Sequence, residues 1–147
     1  MKLPPLTSQE LEPFVEEGCW IAKLATQNQD GSMRITPLTY AVKDGEIIFS
    51  TWENSDAVRN LHRDTRASVL IDKADQPYAG VHYIGRAQAE PETSTPEEYG
   101  RLFGRYSGDE NQAAEQFRFL GSLGLGDRAQ IRFRPETTVT WDFSKGG

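Results

Sequence analysis

Apolar residues fall first at helical spacing and then at strand spacing along this chain. In the opening segment Leu11, Phe14 and Val15 share one helical face, with Thr7 and Glu10 at capping-box spacing. Pro13 inside that stretch cannot donate a helical hydrogen bond, so the pattern predicts a helix that kinks or starts late and stops at Gly18. Strand-type runs follow. Residues 19–27 read as a first strand, Asn28-Gln29-Asp30-Gly31 as a tight turn and residues 33–42 as the return strand. Pro37 within the return strand predicts an edge, a bulge or a ligand-facing break. Asp44-Gly45 turns the chain into a third strand over 46–51, and three strands joined by tight turns predict a meander.

Helical spacing returns over 54–64, where Asn54 or Ser55 caps the start and Ala57, Val58 and Leu61 share a face. Residues 67–72 read as a fourth strand, 73–77 as a loop and 78–90 as a long fifth strand bent near Gly80 or Gly85. Thr95 caps a helix that begins at Pro96, and Glu97 and Glu98 suit its positive end. Tyr99, Leu102, Phe103 and Tyr106 keep helical spacing as core, while Arg101 and Arg105 beside them read as a solvated face. A further helix covers 109–120, and two closing strands, 128–134 and 138–143, flank Pro135-Glu136. Strands dominate and the early connections are hairpins. The fold class is therefore mainly β, an antiparallel barrel or sandwich with peripheral helices, in one domain over residues 1–147.

Charge narrows the function classes. Sixteen basic against twenty-two acidic residues give a formal net charge of −6, so a nucleic-acid partner is not expected. Cys19 is the single cysteine, which excludes an intramolecular disulfide. With only His62 and His82 beside it, a Cys/His zinc site is not expected either. Neither histidine stands in a local motif with Cys19 that marks a nucleophile pair. The polar, proline-containing start does not read as a signal peptide, and no apolar run suits a membrane span, so a cytoplasmic protein is expected.

Four pieces, taken in order, resemble one family. They are Ile21–Thr26 with Asp30-Gly31-Ser32; Arg34-Ile35-Thr36-Pro37-Leu38; Phe49-Ser50-Thr51 with Val58-Arg59-Asn60-Leu61 and Asp64–Val69; and Ile84-Gly85-Arg86-Ala87. Each is a common β pattern alone. Their order and spacing resemble the pyridoxamine-phosphate-oxidase-like, flavin-binding split-barrel family. The resemblance implies an antiparallel split β-barrel and a homodimer. It also implies FMN, or in one branch the deazaflavin coenzyme F-420, bound in grooves between subunits. Such cofactors carry hydride themselves, so the implied activity is an oxidoreductase acting on a small organic substrate, with no protein acid or base singled out. A non-catalytic flavin-, haem- or metabolite-binding protein on the same fold is the alternative, and a ligand-free structural or regulatory dimer a third.

By position, the resemblance places Arg34 on the cofactor phosphate and the backbone of Thr36, Pro37 and Leu38, with Ile35 between them, along the ring. Ser50 and Thr51 would offer donors to the phosphate, and Trp141 in the terminal strand would approach the partner subunit's cofactor. Plainer readings stand beside these: Arg34 as a surface strand cation, Ser50 and Thr51 as a strand end, Trp141 as a core or interface aromatic. Asn60 fits a structural bond to a neighbouring loop. Trp52 could wall the pocket, and Tyr40, His82 and Tyr83 could face substrate, or strand alternation could turn Tyr83 into the core and His82 to solvent. One departure is specific. Where the family usually carries a helix lysine this chain has Ala57, preceded by the acidic Asp56, and only Arg59 is left as a substitute cation.

Overall fold

The computed structural model describes residues 2–145. Its elements run α1 (Ser8–Glu17), β1 (Ala22–Gln27), β2 (Met33–Leu38), β3 (Ala41–Lys43), β4 (Glu46–Trp52), α2 (Asp56–Arg63), β5 (Arg66–Asp72), β6 (Ala79–Pro91), α3 (Pro96–Phe103), α4 (Glu110–Ser122) and β7 (Arg128–Asp142), with short 3-10 turns after α3 and β7. Thr7 and Glu10 do form a capping box on α1, and the helix runs through Pro13.

All seven strands form one antiparallel sheet in the order β2-β1-β5-β6-β7-β4-β3. Laid flat it would be about 29 Å wide, from six gaps of ~4.8 Å. Yet its end strands β2 and β3 are separated in sequence only by Thr39 and Tyr40, a span of at most about 11 Å. The sheet must therefore curl until its ends meet, and the fold is a mainly β split barrel with peripheral helices. This corrects the expected meander. The apolar run 33–42 is two strands, and the short link between them crosses from one end of the sheet to the other. Pro37 lies on β2, which pairs with β1 alone, so it occupies an edge strand.

The closing segment also differs from expectation. Pro135-Glu136 does not separate two strands; β7 continues through it with a bulge. Ile84 pairs with Thr137 and Gly85 with Pro135, which leaves Glu136 as the extra residue. A Cβ on Gly85 would lie 2.1 Å from the Arg134 carbonyl oxygen, so only glycine fits opposite the bulge.

Inward side chains of the barrel build the main core. Leu24, Phe49, Val69, Ile71, Val81, Ile131 and Phe133 are fully buried in it. A second cluster packs Ile48 and Ala41 on the outside of β4 and β3 under Tyr99 and Phe103 of α3 and Ala113 of α4. The crossing link is anchored by Tyr40, whose hydroxyl donates to the Val15 carbonyl at 2.5 Å. Arg105 locks the same region, and this overturns its reading as a solvated face. Its guanidinium donates to the carbonyls of Tyr40 (2.7 Å), Gly18 (2.9 Å) and Leu102 (3.3 Å). It also lies over the rings of Tyr40 and Tyr106. Arg101, by contrast, is exposed. Among the described residues no helix is long and apolar enough to cross a membrane.

Candidate functional site

Strand alternation divides β2 into two chemistries. Arg34, Thr36 and Leu38 pair with the buried positions Thr26, Leu24 and Ala22 of β1, so they share the interior side. Met33, Ile35 and Pro37 pair with Gln27, Ala25 and Lys23 and point outward. The contiguous run Arg34–Leu38 is therefore shared between two surfaces.

The outward surface is an apolar groove of about 360 Å³, lined chiefly by Ile35, Leu70, His82, Val139 and Trp141. Leu70, His82 and Val139 stand directly opposite one another across β5, β6 and β7. Trp141 pairs with Gly80, and a Cβ there would lie 2.6 Å from the indole. The glycine thus lets the ring lie down on the sheet. Lys23, at the groove edge, is held by Asp72 at 2.6 Å. The N-terminal segment closes one end: Leu3 lines the groove, the Pro4 carbonyl accepts from the Asp142 amide, and the Leu6 amide donates to Thr140 Oγ1. As alternation predicts, His82 faces this outer side while Tyr83 is buried.

The interior side of β2 ends in a charged cluster at the start of α2. Ser55 caps the helix, its hydroxyl accepting from the Val58 amide. Asp56 follows and touches two arginines, Arg59 at 2.6 Å and Arg34 at 3.2 Å. The hydrogen bond from Arg59, then the charge of Arg34, hold the Asp56 carboxyl below the ordinary carboxylate range. Ala57 is 3% exposed. Asn60, on the inner face of α2, donates to Thr26 Oγ1 (3.1 Å) and Asn28 Oδ1 (2.9 Å) and accepts from Arg63. It ties α2 to β1 and to the β1–β2 turn.

Ser50 and Thr51 do not act together. Thr51 pairs with the buried Ala129 and Ser50 with Gln130, so their side chains take opposite faces of β4. The Ser50 hydroxyl accepts from Arg128, which stacks over Trp52. Burial lowers the Arg128 pKa. The fold therefore gathers Arg34, Asp56, Arg59 and Asn60 at one end, and Ile35 with Trp141 in the groove, and sets Ser50 apart. Sequence reading did not find Leu3, Lys23, Ala25, Ser68, Leu70 or Val139 as groove residues. The available signal was apolar side chains at outward strand positions, which needs the pairing register to interpret.

A flat aromatic ring fits the groove, whose lining is apolar and whose volume lies within the usual range for ligand pockets. The phosphate end of FMN does not fit the cluster as it stands. Both candidate cations are already on the Asp56 carboxylate, the lysine position is a buried alanine, and the Ser50 hydroxyl serves Arg128. Among the described residues no group of three or more His, Cys, Asp or Glu side chains is placed to hold a metal ion.

The crystal structure of a conserved hypothetical protein from Mycobacterium tuberculosis resembles this chain with a TM-score of 0.78 at 28% identity, over 97% of this chain and 88% of that one. A structure titled as an F-420 reductase aligns with a TM-score of 0.64 at 20% identity, over 86% and 94%. A FAD-binding protein from Mesorhizobium loti aligns with a TM-score of 0.64 at 18% identity, over 95% and 96%. At those identities the last two show the fold alone. No curated protein matches the sequence. Residues 7–142, nearly the whole chain, match the sequence pattern that defines pyridoxamine 5'-phosphate oxidase, and the chain belongs to that family.

Proposed function

We propose that this protein is a homodimer that holds a flavin or deazaflavin ring in the apolar groove and serves hydride transfer to or from a small organic substrate. The observation that carries the reading is the groove itself. A sheet face bearing Ile35 at 67% exposure, Met33, Ile84 and Val139 is more apolar than a lone subunit commonly leaves to water. A second copy laid on that face would bury those side chains and roof the groove. When bound, the ring would supply the hydride chemistry. The residues of the chain would bind and orient it: Trp141 and Ile35 would border a flat ring, Leu70 and Val139 would exclude water, and His82 would offer one polar contact between them.

The Asp56 clasp favours a second reading, a protein that retains such a ligand without turnover. An anionic phosphate must displace a carboxylate that already occupies both arginines, so FMN would bind through its ring more than through its phosphate.

Titration of the apoprotein with FMN and with coenzyme F-420, followed by ligand fluorescence, tests the binding. Saturable quenching that weakens in Trp141→Ala supports it, and no saturation with either ligand would overturn it. Asp56→Asn should tighten FMN by about a few-fold, since one competing exposed charge is removed. It should leave a ring analogue without phosphate unchanged. Turnover with a nicotinamide donor separates the catalytic from the retaining reading. For the dimer, light scattering on Ile35→Asp should give half the wild-type mass; an unchanged mass would place the interface elsewhere.

A further inference from the structure

The outer face of the sheet changes character at the bulge. On one side lies the apolar groove. On the other, Arg86 of β6 stands directly opposite Arg66 of β5 and directly opposite Arg134 of β7. Three arginines thus run in line across three adjacent strands, with Arg132 two residues further along β7. Like charges in direct cross-strand register are destabilising, and in a chain of net charge −6 nothing in the composition demands such a row.

Two of the row, Arg86 and Arg134, line a recess of about 190 Å³ together with Arg132, Thr65, Gln88 and two carboxylates, Glu46 and Glu136. Those carboxylates do not use up the donors. Glu136 lies 3.9 Å from Arg86, and Glu46 lies 3.7 Å from Arg134 and 3.9 Å from Arg132, all beyond hydrogen-bond distance. Arg132 is ion-paired with Glu90 at 2.6 Å through its buried Nε. Arg86 spends one N–H on Thr65 Oγ1. Arg66, in contrast, is already forked onto the Asp64 carboxylate through Nε and Nη2 and does not line the recess. The recess therefore presents the guanidinium forks of Arg86 and Arg134, the donor type that matches planar or tetrahedral oxyanions, with Arg132 beside them on Glu90. The bulge aims Glu136 at its rim, as bulges next to binding sites commonly re-aim a side chain.

We infer that this recess is a second binding site, for a small molecule carrying two or more oxyanion groups, phosphate or carboxylate. Strand spacing sets Arg86 and Arg134 about 5 Å apart, and Arg132 about 7 Å along from Arg134. Two linked anionic groups span that array better than one. The site is separate from the Arg34–Asp56–Arg59 cluster and does not depend on the function proposed for the groove.

Calorimetric titration of the full chain at low ionic strength tests it, with sodium pyrophosphate and with citrate as the probes. The expected result is one saturable site, weakened at least about tenfold in Arg134→Ala and in Arg86→Ala. Affinity should fall as chloride rises, tighten in Glu136→Gln and stay unchanged in Arg101→Ala. Arg134→Lys, which keeps charge and loses the fork, should fall between. Tighter binding of pyrophosphate identifies a phosphate ligand and tighter binding of citrate a carboxylate one. No saturation by about 10 mM with either probe, or equal affinity in the alanine variants, would overturn the inference. So would a loss of dimer mass in Arg134→Ala without anion binding in the wild type, which would make the row a subunit contact.

Discussion

Replacing Arg105, in the 3-10 turn after α3, with alanine should destabilise the fold far more than its reading as a solvated surface arginine suggests. The side chain joins three parts of the chain that are distant in sequence: the exit of α1 at Gly18, the crossing link at Tyr40 and the end of α3 at Leu102. Two of the three bonds are short, at 2.7 and 2.9 Å, and each carries the full charge of the guanidinium. Hydrogen bonds to a charged group contribute about 1.5–3 kcal/mol net. Arg105 is half-buried, so water would replace part of this, and the lower end applies to the two short bonds, about 3 kcal/mol together. The two ring contacts, 4.9 and 4.5 Å from the guanidinium carbon, add about 0.5 kcal/mol each. A loss near 4 kcal/mol follows. Unfolding entropy of about 2.1 cal/mol/K per residue gives ~0.3 kcal/mol/K for a chain of this length, so Tm should fall by roughly 12 °C.

Thermal unfolding by circular dichroism measures the shift, and urea titration checks that the midpoint moves while the slope holds. Arg105→Lys keeps the charge but cannot reach three carbonyls at once, so it should recover less than half the loss. Arg101→Ala, on the exposed side of α3, should stay within ~0.5 kcal/mol of wild type. If Arg105→Ala melts within about 2 °C of wild type, the latch contributes nothing and the crossing link is held by packing alone.

Two further outcomes follow from single side chains. Glu10 joins the α1 cap to Lys145 near the C-terminus, and its pKa falls from 4.5 to about 2 through the Lys145 hydrogen bond first, then those from Thr7. A depressed carboxylate stabilises above its unfolded value and loses that contribution as pH drops through the folded one. Glu10→Gln should therefore be less stable than wild type at pH 6 and equal to it near pH 2, measured by urea midpoints across that range. Asn60→Ala removes two donated bonds and the acceptor of Arg63 from a buried site, for a loss of about 2–3 kcal/mol. Amide exchange should then rise in the β1–β2 turn before it rises in β6.

The two hairpin turns, the four helices and the inward faces of the strands were legible because each rests on local chemistry: Asp-Gly turns, Ser or Thr caps, and alternation at Leu24, Val69 and Ile131. Breaking the 33–42 run was not legible. Tyr40 and Ala41 continue the apolar pattern, and what turns the chain there is Tyr40 anchoring to Val15 and Arg105, contacts 25 and 65 residues away in sequence. Pro135-Glu136 misled for the converse reason. Proline signals a break, but opposite Gly85 the sheet absorbs the extra residue as a bulge. The groove needed the register, because Ile35, Leu70 and Trp141 become neighbours only through strand order.

Asp56 shows how residue type and geometry divide the remaining question. Its acidity next to the cofactor-phosphate positions was visible in the sequence; its bonds to both Arg34 and Arg59 were not. Those bonds decide how the cluster can respond. The carboxyl is held below its ordinary range, so it stays ionised throughout neutral and mildly acidic conditions. No proton taken up near pH 7 can release the arginines. They are freed only by a competing anion or by substitution of Asp56, and competition between exposed charges weakens with salt. Phosphate affinity at this cluster should accordingly change between about pH 5 and 8 only with the second ionisation of the phosphate itself, at about pH 6, and should fall steeply with ionic strength. A ligand gripped through the ring would show neither dependence. The two profiles, taken on wild type and Asp56→Asn with FMN, separate a phosphate-held cofactor from a ring-held one without reference to turnover.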